Sequence, residues 1–180
     1  MSNVQVLAPM YKGDCGVNQL NSNIQNELNP GDEVGFSPKE DFRIGDKVMQ
    51  TENNYEKEVY NGDIGRIVGA DKSASRIEVE FPDYGIISYE ENEISALDLA
   101  YAITIHKSQG SEYDAVIIPL LNQHYVMLKR NLLYTAVTRS RELVILVGSK
   151  KALGMAVNND LESRRFTTLS RRLSEKANMD

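Results

Sequence analysis

Thr104-Ile105-His106-Lys107-Ser108-Gln109-Gly110-Ser111-Glu112 leads into the apolar run Ala115-Val116-Ile117-Ile118-Pro119-Leu120. About twenty residues on, Leu133-Tyr134-Thr135-Ala136-Val137-Thr138-Arg139-Ser140-Arg141 leads into Leu143-Val144-Ile145-Leu146-Val147. Continuous apolar runs of this length read as parallel strands buried on both faces. Each borders side chains that can touch phosphate, ribose or nucleic acid. The pattern therefore predicts an α/β sheet with its chemistry at strand ends, where such sheets bind ligands.

Working outward, Val4-Gln5-Val6-Leu7-Ala8 reads as another buried strand, stopped by Pro9. Val17, Leu20, Ile24 and Leu28 repeat at helical spacing, and Asn29-Pro30-Gly31 ends that helix. Strand, loop and helix in this order are the unit of an α/β fold. From about residue 37 the period changes. Short alternating runs at 42–51, 64–68, 76–81 and 85–89 are separated by turn residues such as Asn61-Gly62-Asp63 and Pro82-Asp83. This predicts a small all-β SH3-like barrel, too small to rest easily alone and so packed on its host. The helical pattern of 129–139 lies between the two long apolar runs, Ser149 can cap a helix reaching Val157, and 167–176 suggest a last short helix. The expected organisation is a discontinuous α/β domain, residues 1–36 and 94–180, with an inserted β domain at 37–93.

Composition narrows the class. The 180 residues are 41% apolar, enough for a true core. The single cysteine, Cys15, suits a reducing cytosol, and there is no signal peptide or membrane-length apolar run, so a cytoplasmic protein is expected. Two histidines and one cysteine do not make a zinc site, and no nucleophile elbow or nuclease cluster is present. Net charge is −6 and uneven: residues 1–128 carry 9 basic and 21 acidic groups, residues 129–180 carry 11 and 5. Phosphate ligands are expected at the motif segments or the basic last third.

Residue chemistry sharpens this. Gly110 permits close backbone approach to a phosphate, and Glu112 can accept from ribose hydroxyls. Taken alone, they read equally as a turn glycine and a surface carboxylate. Thr104, His106, Lys107 and Gln109 all carry donors for phosphate oxygens. Arg139 falls near a helix C-terminus, where a guanidinium can stabilise charge on a transferred phosphoryl group. Tyr11 can stack on a base and Lys12 can meet a phosphate.

These segments resemble motifs V and VI of superfamily 1 DNA helicases. Leu7-Ala8-Pro9-Met10-Tyr11-Lys12-Gly13, running on to Gly16-Val17-Asn18-Gln19-Leu20-Asn21, resembles motif IV of the RecD-like branch. The resemblance covers nearly the whole chain and is strongest over residues 101–147. It implies a RecA-like parallel sheet of the P-loop NTPase kind, the second motor domain of a helicase. It assigns Gly110 and Glu112, with Tyr11 and Lys12, to the nucleotide. Thr104, His106, Lys107 and Gln109 go to single-stranded DNA, and Arg139 is the arginine finger. Lys12 stands where many relatives carry arginine, and it lacks the bidentate fork.

The resemblance further implies ATP and Mg²⁺ as cofactors of a full-length parent moving 5′ to 3′ in recombination or repair. Its partners would be single-stranded DNA, the N-terminal RecA-like domain of the same parent chain and, in some relatives, further exodeoxyribonuclease V subunits. No G-x-x-x-x-G-K-[ST] occurs in the chain. The expectation is that the chain alone binds no nucleotide tightly and neither hydrolyses ATP nor unwinds DNA. The alternatives are the helicase half of a conjugative relaxase, or an SH3-like protein-interaction module. The second is disfavoured because Tyr55, Tyr60, Tyr84 and Tyr89 are scattered along the insertion.

Overall fold

A computed structural model of the chain describes residues 4–32, 34, 41–124 and 127–160. Strand β1 (Val4–Ala8) and helix α1 (Val17–Leu28) open it. Strands β2 (Lys47–Gln50), β3 (Ile64–Asp71), β4 (Arg76–Phe81), β5 (Gly85–Glu90) and β6 (Leu97–Leu99) follow. Next come β7 (Ala102–Thr104), β8 (Tyr113–Leu120), α2 (Arg130–Val137), β9 (Ser140–Gly148) and α3 (Lys150–Asn158). The expected helix at 167–176 lies outside the described residues.

Two sheets result. One is parallel, in the order β7-β1-β8-β9; the other is antiparallel, in the order β5-β4-β3-β2-β6. Leu7, Ile103, Val116 and Ile118 turn one face of the parallel sheet towards Ala136 of α2 and Ala152 and Ala156 of α3. Burying side chains of this size stabilises the fold by about 1.5–3 kcal/mol each. Ser149 caps α3 as its position predicts, its hydroxyl accepting from the Ala152 amide at 3.0 Å. The antiparallel unit has its own core, built on Phe42, Val48, Ile67, Val79 and Tyr89. It also lends Met49 to the core of the parallel sheet.

Three expectations change. β8 is buried between β1 and β9, but β9 is the outermost strand, with Leu143 52% and Val147 53% exposed. Its apolar run is therefore not covered on both faces among the described residues. The strand expected at 42–51 is confined to Lys47–Gln50, because residues before it form a turn around Asp46. Helix α1 buries Val17, Asn21 and Gln25, while Leu28 is 73% exposed.

The reason for that last change is polar. β6 and β7 are edge strands of their sheets, and edge backbone groups need partners when buried. Asn21 supplies them: its amide donates to the Leu99 and Ala102 carbonyls, and its oxygen accepts from the Ala102 amide at 2.7 Å. One turn on, Gln25 donates to Asp46 at 2.7 Å, and Asn29 donates to the same carboxylate at 2.7 Å. The Arg43 amide and the Tyr101 hydroxyl complete four donors to a fully buried Asp46. A second tie joins the sheets: Lys47 Nζ donates to Gln5 Oε1, and Gln5 donates to the Ala100 and Tyr101 carbonyls. Burial, with Arg66 adding repulsion, pulls the Lys47 ammonium down to about 8.

Candidate functional site

Thr104 ends β7 level with Ala8, whereas Tyr113 begins β8 two residues before the level of Val4. Residues 105–112 therefore run from the C-terminal edge of the sheet back to its N-terminal edge, a drop of about 20 Å at 3.3 Å per strand residue. Buried Ile105 and Ser108 anchor this passage. The Lys107 amide donates to Thr104 Oγ1, Ser108 Oγ to the Ile105 carbonyl, and the Ser111 amide to the Ser108 carbonyl. His106, Gln109 and Gly110 are left facing outward.

At the C-terminal edge, Thr104, His106, Lys107 and Gln109 line one cavity of about 670 Å³ together with Tyr11. Asn61 and Gly62, from the turn before β3, form part of its wall. All four side chains assigned to nucleic acid thus meet in one place. Nothing in the sequence of Asn61-Gly62 distinguishes this part of the wall from an ordinary turn. Two qualifications come from the geometry. Thr104 is nearly buried, its hydroxyl occupied by the Lys107 amide, and Lys107 Nζ is paired with Asp98 at 3.4 Å. Lys12 is exposed beside Tyr11 and does not line the cavity. The chain doubles back here through Gly16, where an added Cβ would lie 2.5 Å from the Tyr11 carbonyl oxygen. That close approach requires glycine.

At the N-terminal edge, Arg139 directly follows α2, one residue beyond its C-cap, Thr138. Nε donates to the Thr135 carbonyl at 3.2 Å, Nη1 to the Ser111 carbonyl at 3.2 Å, and Nη2 to Thr138 Oγ1 at 3.3 Å. All three acceptors are neutral, so the guanidinium is aimed by oxygens that do not cancel its charge. Beside it, Arg141 Nε binds Glu112 Oε2 at 3.0 Å across an exposed ion pair. Nothing in the sequence around Arg141 announces this pairing, since Glu112 lies 29 residues earlier. Gly110 lies between the two clusters with φ +90, a conformation that favours glycine. An added Cβ there would meet no atom within 4 Å, so crowding is not what requires the glycine.

What the clusters can do is set by their donors. One edge offers an aromatic ring, an imidazole, an amide and an ammonium around an open groove, chemistry suited to a polyanion bearing bases. The other offers a fixed guanidinium and a carboxylate, suited to a phosphate and a hydroxyl. No group of three or more His, Cys, Asp or Glu able to hold a metal occurs among the described residues.

Residues 99–147 match the UvrD-like helicase C-terminal domain, and residues 20–81 match the ATP-dependent RecD-like DNA helicase SH3 domain. The chain is 39% identical over 168 residues to the ATP-dependent RecD2 DNA helicase of Deinococcus radiodurans, covering 93% of this chain and 23% of that protein. It is 31% identical over 169 residues to the RecBCD enzyme subunit RecD of Mycolicibacterium smegmatis, covering 94% of this chain and 29% of that one. It thus spans about a quarter of the length of these curated relatives. Among solved structures, a Bacteroides Pif1 helicase in complex with ADP-AlF3 and ssDNA superposes with TM-score 0.64 at 22% identity, over 96% of this chain and 46% of that one. Pif1 helicase from Candida albicans gives 0.56 at 16%, over 98% and 50%. Both show the same fold. With an SH3 domain of the RecD-like kind joined to a UvrD-like helicase C-terminal domain, the chain belongs to the RecD-like helicases and carries a C-terminal part of one.

Proposed function

We propose that the chain is the second half of an ATP-driven motor that moves along single-stranded DNA, 5′ to 3′, in recombination or repair. Residues 1–36 and 94–180 are taken as the discontinuous motor domain and 37–93 as its inserted β domain. The observation that carries the reading is the aim of Arg139. Its guanidinium is fixed beside Gly110-Ser111-Glu112 by three neutral oxygens, with its charge left for an incoming anion.

In this reading Glu112 accepts from the ribose, and the turn at Gly110 borders the phosphates. Arg139 stabilises charge developing on the γ-phosphoryl group, an effect worth about 10³–10⁵ in rate in comparable enzymes. Tyr11 and Lys12, which the resemblance assigns to the nucleotide, lie on the groove side of the sheet, at the edge away from Arg139 and Glu112. Thr104, His106, Lys107 and Gln109 hold the DNA strand. Charge neutralisation at the phosphates would be supplied by Mg²⁺, for which the described residues offer no group of three or more His, Cys, Asp or Glu. The phosphate cradle has no counterpart in this sequence, so the 180-residue chain alone turns over no ATP. The missing parts come from an N-terminal RecA-like domain of the same parent. The parent works alone or with exonuclease V subunits, in the cytoplasm.

The test is steady-state ATPase of the full-length parent with and without single-stranded DNA. Arg139→Ala is expected to lower kcat by about 10³-fold or more while DNA affinity stays within a few-fold. A kcat within a few-fold of the unsubstituted enzyme overturns the proposal.

A further inference from the structure

Four tyrosines look dispersed in the sequence of the antiparallel unit, yet Tyr55 and Tyr60 meet at its surface and Tyr84 lies nearby. The Tyr55 and Tyr60 rings stand edge to face, 6.1 Å between centroids. Asp63 accepts from the Tyr60 amide at 2.7 Å, and desolvation followed by the nearby charges of Asp63 and Asp83 raises the Tyr84 hydroxyl above its usual range, which sets Tyr84 close to the same corner. Tyr55 is 75% exposed, Tyr60 41% and Tyr84 40%. Only Tyr89 is interior.

The charge around this corner has one sign. Glu52, Glu56, Glu58 and Asp83 are exposed beside the tyrosines in sequence. Lys57, in the same loop, is engaged by Glu93 and lies 5.0 Å over the Tyr89 ring. Residues 37–93 carry 7 basic and 14 acidic groups, so the unit accounts for the negative charge of the chain. An acidic rim repels phosphate, which argues against nucleic acid on these rings even though the adjoining Asn61-Gly62 faces the groove. Exposed rings carried on loops with exposed carboxylates beside them in sequence match a cationic chain, whose lysines or arginines lie over the rings while their charges meet the acids.

We infer that the Tyr55–Tyr60–Tyr84 corner docks a basic, lysine- and arginine-rich peptide segment of a protein partner. This surface is independent of the motor reading, since it uses none of the groove or Arg139 residues.

The experiment is fluorescence anisotropy of the full chain with a labelled arginine-lysine peptide, and in parallel with labelled oligothymidylate. Peptide binding that weakens with salt is expected. The double variant Tyr55→Ala/Tyr84→Ala should weaken it about three- to tenfold, leaving oligothymidylate binding and the far-ultraviolet circular dichroism unchanged. A second variant, Glu52→Gln/Glu58→Gln, should flatten the salt dependence. Peptide affinity unchanged in the tyrosine variant would mean net charge alone attracts the peptide, and would overturn the inference. So would loss of oligothymidylate affinity matching the loss for peptide, which would make the corner a base-stacking platform.

Discussion

Arg139 and Ser111 are joined side chain to main chain, Nη1 donating to the Ser111 carbonyl at 3.2 Å, while the next strand pair opens with the Tyr113 amide donating to the Arg139 carbonyl at 2.8 Å. The two signature segments, about thirty residues apart in sequence, are thus stitched together at the start of β8 and β9. Movement of residues 105–112 at the groove has a direct mechanical route to the guanidinium.

Because three acceptors in different directions define the Arg139 fork, Arg139→Lys keeps the charge but not the aim. In the full-length parent it should lower kcat about 10²-fold or more, with KM for ATP little changed. Near-normal kcat in a steady-state assay would show that charge alone suffices.

Asp46 anchors the inserted unit to α1. Asp46→Ala leaves buried donors on Gln25, Asn29, Arg43 and Tyr101 without their acceptor. The cost should be about 2–4 kcal/mol, read as a lower urea midpoint of the chain. A loss below about 1 kcal/mol would mean that water or rearrangement replaces the carboxylate easily.

His124 is fully buried, and burial pulls its imidazole below the usual 6.5. The folded state therefore favours the neutral ring. Stability from this group is complete above 6.5 and is lost as pH falls through the depressed folded value. Urea midpoints should drop between pH 7.5 and pH 5.5, and His124→Gln should make that drop smaller. An identical pH profile in the variant would assign the acid sensitivity to carboxylates instead.

Gly110→Ala tests conformation apart from space. With φ +90 and open surroundings, alanine meets strain but no clash. Stability should fall by about 1 kcal/mol, measured by chemical denaturation. A much larger loss would reveal packing around the turn that the structure does not show.

Several features were legible without coordinates. The apolar runs around Leu7, Val116 and Val144 gave three parallel strands, and Ser149 marked the start of α3, because period and capping are local. Thr104, His106, Lys107 and Gln109 line one groove, since positions so near in sequence cannot disperse far. Other features were hidden. The spacing of Val17, Leu20, Ile24 and Leu28 marked the helix, but not that Asn21 and Gln25 are buried along with Val17 while Leu28 is exposed. Their value depends on edge strands about eighty residues later in the chain, which no local pattern announces.

The sequence by itself determined the kinds of element, their order and the family, because each rests on short-range periodicity and on short motifs. Only the tertiary structure decided that Arg139 faces Ser111, that Asp46 collects four donors, that Tyr55, Tyr60 and Tyr84 share a corner, and that β9 lies at an edge. Those outcomes depend on which strands become neighbours. Pairing across long loops is fixed by the burial and hydrogen bonding of the whole chain at once, not by any segment of it.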